Sequence, residues 1–127
     1  MYLYRNTATE EIIVAKNLKR LCQRIALPHS YERTLSLIKE AGKYTSEGIT
    51  IEKVTPTNEV GYVYGIISKD GTIVTYPNWA AWLNGLQLCC IESEVQGLLS
   101  FIADAGELNE MQYEFDYTPF VAFVCHS

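Results

Sequence analysis

Eight residues within the first 43 of this chain have side chains suited to meeting phosphate: Lys16, Lys19, Arg20, Arg24, His29, Ser30, Arg33 and Lys43. Cations that neutralise phosphates release condensed counterions, and hydroxyl or imidazole groups add hydrogen bonds, so this set fits double-stranded DNA. The second half holds the opposite set: Glu92, Glu94, Asp104, Glu107, Glu110, Glu114 and Asp116. Spaced carboxylates on a small rigid fold can imitate a phosphate array and occupy a basic channel of another protein. The net charge of −5 is thus unevenly divided. Residues 1–55 carry nine Lys/Arg against six Asp/Glu, a net +3, and residues 56–127 carry Lys69 alone against nine acids, a net −8. Halves of opposite sign point to different partners.

Catalytic chemistry finds no footing. None of G-x-S-x-G, G-x-x-x-x-G-K-[ST] or H-E-x-x-H occurs, and no catalytic residue or cofactor is expected. The four cysteines, Cys22, Cys89, Cys90 and Cys125, include no C-x-x-C pair. Adjacent residues of a regular element point apart, so Cys89 and Cys90 are not expected to share a metal, and with only two histidines no metal site is expected. The first residues lack a basic stretch followed by an apolar one, so no secretory signal is read, reduced thiols are expected, and the location implied is cytoplasmic. No apolar run approaches the roughly 20 residues of a membrane span.

An internal repeat supplies the elements that would position these groups. Residues 11–18 can be laid on residues 72–79, and the apolar positions that follow keep one spacing: Leu18, Leu21, Cys22 and Ile25 against Trp79, Trp82, Leu83 and Leu86. That spacing makes one buried stripe on a helix. Asn17 and Asn78 stand where an N-cap is needed, and Leu27 and Leu88 trail the two helices. A second helix follows in each half. The first starts near Ser30, has Tyr31, Leu35 and Ile38 as its inward face, and stops at Ala41-Gly42; the other spans about residues 92–103 and stops at Ala105-Gly106. Alternating stretches at 49–54 and 111–117 read as closing strands, and Asp70-Gly71 marks a hairpin between 62–68 and 72–76. The looser 6–10 segment joins the matching pair at 1–5 and 11–15, and Thr55-Pro56-Thr57-Asn58 reads as a linker.

The expected class is therefore α+β, a tandem ββααβ module: a basic unit at 1–55 and an acidic, diverged unit at 56–127. The apolar run Phe120–Val124 is expected to be an extra C-terminal strand without a counterpart, exposed at an edge and able to pair with a second copy.

Residues 11–54 resemble the small DNA-binding repeats of phage and homing-endonuclease-associated proteins, the NUMOD-like repeats. That family runs from a D-G hairpin into an N-L-x-x-F-C helix start, a trailing Leu, a second helix ending in G-K, and a strand with K-G-W. Matching residues are Asn17-Leu18-Lys19-Arg20-Leu21-Cys22, Leu27, Gly42-Lys43 and, in the place of K-G-W, Glu47-Gly48-Ile49. In the second half Asp70-Gly71 and Asn78-Trp79-Ala80-Ala81-Trp82-Leu83 match, Glu107 replaces the post-glycine Lys, and K-G-W is absent. The resemblance implies a small non-enzymatic DNA-binding protein of phage or mobile-element type, a regulator using the basic half. The acidic half supports an alternative by analogy, a phage anti-defence inhibitor of the anti-CRISPR kind that binds a nucleic-acid enzyme of the bacterial host.

Overall fold

The computed structural model describes residues 1–56, 61–106 and 108–126. Short strands dominate, and β2 and β8 are buried on both faces. In the first half β1 (Tyr2–Asn6) and β2 (Glu11–Ala15) form a hairpin, followed by α1 (Leu18–Arg24), α2 (Tyr31–Ala41), β3 (Lys43–Ser46) and β4 (Ile49–Lys53). The second half runs β5 (Tyr62–Ser68), β6 (Ile73–Tyr76), α3 (Trp79–Cys89), α4 (Glu92–Ala105), β7 (Glu110–Glu114) and β8 (Phe120–His126). Each half is thus ββααββ, and its four strands make one antiparallel sheet: β2-β1-β4-β3 and β6-β5-β8-β7.

This corrects the ββααβ expectation. The strand missed in the first half is β3, and the counterpart of β8 is β4, so β8 is no unmatched addition. Nor is β8 an edge. It lies between β5 and β7 with both sides paired, which removes the ground for dimerisation through it. The proposed linker lies partly outside the described residues, as do Thr57 and Asn58.

Local chemistry explains the breaks. The side chains of Asn17 and Asn78 accept from the N–H groups of Arg20 and Ala81, each at 2.9 Å, as N-caps should. Gly42 closes α2 at a φ of 81°, donating its N–H to the Ile38 carbonyl. Between β3 and β4 lie only Glu47 and Gly48, with φ of 52° and 82°. Two left-handed residues in a two-residue loop match the twist of the strands they join.

Side-chain alternation stacks four layers. One face of β1 and β2 (Leu3, Ile12, Val14) meets Val63 and Ile67 of β5 and Val121, Phe123 and Cys125 of β8 in a core between the two sheets. The opposite face of the first sheet (Tyr4, Ile13, Ile51) carries α1 and α2 through Leu18, Leu21 and Ile38. The second sheet carries α3 and α4 through Trp82, Leu86, Val95 and Leu98. Helices lie outside, sheets back to back. Tyr31, expected inside, is 39% exposed, whereas Thr34 is fully buried. No helix among the described residues is long and apolar enough to cross a membrane.

Candidate binding surfaces

The edge of the first sheet is where the two charge sets meet. β2 is an edge strand, and its outward backbone groups need partners if they are to be shielded. β7, the edge of the other sheet, supplies them with side chains. Gln112 accepts from the Val14 N–H at 2.8 Å and donates to the Ile12 carbonyl at 2.6 Å, so one amide does the work of a ladder rung. Two residues earlier on the same face of β7, Glu110 accepts from the Lys16 N–H at 2.7 Å. The same carboxylate takes a two-pronged contact from Arg20, Nε at 2.9 Å and Nη2 at 3.0 Å, and lies 3.5 Å from Nη1 of Arg24. Arg24 also donates to the Val14 carbonyl. Burial on its own would push the Glu110 carboxyl up; the Arg20 hydrogen bond, the Lys16 N–H and the two guanidinium charges outweigh it and hold the group below its usual value.

This seam uses up members of both predicted sets. Of the eight phosphate-facing residues, Arg20 and Arg24 are tied to Glu110. His29 Nδ1 sits 2.8 Å from the Tyr44 hydroxyl, and the Ser30 hydroxyl caps α2 by accepting from the Arg33 N–H. Lys16, Lys19, Arg33 and Lys43 remain exposed, Lys43 facing Glu52 across the β3–β4 ladder. Of the seven acids, Glu110 is in the seam and Glu107 lies outside the described residues. Glu94 is buried, accepting from the Tyr117 N–H at 3.1 Å and from the Thr118 hydroxyl. Desolvation raises its pKa, and those hydrogen bonds more than reverse the shift. Glu92, Asp104, Glu114 and Asp116 are exposed.

A second surface is marked by exposed apolar side chains and was not anticipated. Leu88, expected to trail its helix, lies in the last turn of α3 and is 81% exposed. Ile91, the N-cap of α4, is 53% exposed, and Tyr117 is 84% exposed. The Glu94 bonds draw the 117–118 segment against the first turn of α4, so the loop that carries Asp116 and Tyr117 lies beside the α3–α4 junction that carries Leu88, Ile91 and Glu92. At the same corner Cys89 is exposed and its Sγ lies 3.6 Å from that of the half-buried Cys90. Burial first, then Cys89 and the Glu94 charge, push the Cys90 thiol up to about 12. A cavity of about 250 Å³ between α3 and α4 is lined by Gln87, Cys90, Glu92, Val95 and Gln96.

Among the described residues no group of three or more His, Cys, Asp or Glu is placed to hold a metal ion, and all four cysteines are free. The chain matches no protein-family model, no curated protein and no solved structure.

Proposed function

We propose that the chain is a non-enzymatic binding protein whose acidic half docks on a cationic surface of a nucleic-acid-handling protein. The like order of elements supports reading the halves as two copies of one unit, of which the second has turned its surface to protein recognition. The observation that carries this reading is the corner of Leu88, Ile91 and Tyr117, with 81%, 53% and 84% of their surfaces open to water. Grouped exposed apolar side chains beside charges resemble the centre and rim of a protein interface. The neighbouring Glu92 and Asp116 and the net −5 select a partner with positive charge around an apolar centre, the kind of surface that also meets nucleic acid.

A second reading, DNA binding by the first half as the NUMOD-like resemblance implies, rests on the exposed Lys19, Arg33 and Lys43. It is the weaker of the two, because Arg20 and Arg24, the cations best placed on α1, already serve Glu110.

One experiment separates the readings. Immobilised chain is used to capture proteins from a bacterial lysate, alongside Leu88→Asp and Tyr117→Ala variants, and any retained protein is then challenged with a short DNA duplex. A nucleic-acid-binding protein held by the wild type, displaced by the duplex and lost with Leu88→Asp is the expected result; both substitutions lie at exposed positions and leave the fold intact. In parallel, the free chain is titrated with duplex across a salt series. Saturable, salt-sensitive binding abolished by Lys19→Glu plus Arg33→Glu, with capture indifferent to Leu88→Asp, would overturn the protein-directed reading in favour of DNA.

A further inference from the structure

We propose that Cys89 and Cys90 form a chelating dithiol site for a trivalent thiophilic metalloid, of the class represented by an organoarsenical carrying two exchangeable hydroxyls. Consecutive side chains of a helix diverge by about 100° around its axis. That divergence is broken here because α3 ends at Cys89 and Cys90 is its cap, with an extended φ of −121° and ψ of 155°. Both sulfurs therefore converge, 3.6 Å apart.

The geometry favours a bridging atom over a disulfide. A direct bond needs the sulfurs about 2.0 Å apart, and it normally joins residues whose Cα atoms are about 4.4–6.8 Å apart. Adjacent residues are held at about 3.8 Å across a trans peptide. An eight-membered disulfide ring would thus be strained, whereas a ninth atom between the sulfurs lets both keep nearly their present positions. Access is open from two sides. Cys89 is exposed, and Cys90 lines the 250 Å³ cavity with Gln87 and Gln96, which leaves room for an organic substituent on the ligand.

The reaction balances without an oxidant. Each thiol sulfur forms a bond to arsenic as one arsenic–oxygen bond breaks, and the departing hydroxyl takes the thiol proton and leaves as water. Two As–S bonds replace two As–O bonds, two waters are released, and arsenic stays trivalent. Neither sulfur has to be ionised in advance, which suits the half-buried Cys90 thiol better than capture of a bare metal cation, for which thiolates are required.

The test uses the whole chain, reduced, with phenylarsine oxide as the probe and intact-mass measurement as the readout. One adduct per chain is expected, retained in excess monothiol and released by 2,3-dimercaptopropanol. Tethering the second sulfur raises its effective concentration, so Cys89→Ser and Cys90→Ser should each weaken retention by about 100-fold or more. Cys22→Ser, on α1, should leave retention unchanged. An adduct that a monothiol strips from the wild type, or one held equally well by Cys89→Ser, overturns the proposal; because Cys89 is exposed, that variant keeps the fold.

Discussion

Replacing Trp82 by alanine is expected to lower the unfolding free energy by about 4 kcal/mol, a large part of the roughly 5–15 kcal/mol that a domain has. Trp82 has no exposed surface and stands at the centre of the core beneath α3. Its indole N–H donates to the Gly65 carbonyl at 2.9 Å, and its ring lies 5.3 Å from that of Trp79 and 6.0 Å from that of Tyr64. Gly65 has no freedom to compensate. A β-carbon there would come within 2.2 Å of Cζ of Phe123 on the other face of the sheet, so β5 is clasped between Trp82 on one side and Phe123 on the other. The alanine variant therefore leaves a cavity on the helix side that the strand cannot move to fill. Trp82→Phe keeps most of the volume and removes the hydrogen bond, and should cost about 1–3 kcal/mol. Urea unfolding followed by far-ultraviolet circular dichroism measures both. A loss under about 1 kcal/mol for the alanine variant would show that the helix pair is not anchored through this residue.

How much of this was legible in the sequence depended on how locally each signal is written. The caps at Asn17 and Asn78 and the hairpin at Asp70-Gly71 involve partners no more than four residues apart, and they can be read directly. Strand β3 is only four residues long and buries Tyr44 alone, too little alternation to stand out, and the Glu47-Gly48 turn lacks the usual Asn or Asp. Missing that strand displaced the whole comparison of the halves, pairing β4 with β7 and leaving β8 unmatched. α2 was placed correctly along the chain, and Leu35 and Ile38 pack inward as expected, but Tyr31 is exposed and Thr34 takes the buried place one turn before Ile38. Thr34 has no exposed surface, and its hydroxyl has no hydrogen-bond partner in a core where an apolar residue was the natural expectation. The charge asymmetry was visible, but its meaning was not. Arg20 and Glu110 are 90 residues apart, and nothing short of the back-to-back sheets reveals that they face each other. The exposed corner at Leu88 escaped for a related reason, since an apolar residue at helical spacing reads as core until the packing shows what covers it.

Removing the seam should have the second largest effect, about 3 kcal/mol for Glu110→Ala together with Gln112→Ala. Gln112→Ala deprives the Val14 N–H, whose residue is 1% exposed, of its partner, and a buried donor left unpaired costs about 1–3 kcal/mol. Glu110→Ala adds about 1 kcal/mol, discounted because the Arg20 side chain is 52% exposed and solvent screens the pair. The two sites share one edge strand, so their effects should not be strictly additive. The Glu110 part is also pH-dependent. Its carboxyl is held below the ordinary value of 4.5, so its contribution is complete above that pH and is lost as pH falls through the lower folded value. Denaturant titrations should thus show wild type losing stability below about pH 4.5, while Glu110→Gln lacks that share of the loss. The same variant bears on function. Freeing Arg20 and Arg24 from their carboxylate returns two cations to the face of α1, and duplex DNA affinity at low salt should rise, with a log–log salt slope steeper by up to about two. If affinity stays unchanged in a folded Glu110→Gln chain, then Glu110 does not mask those arginines from DNA.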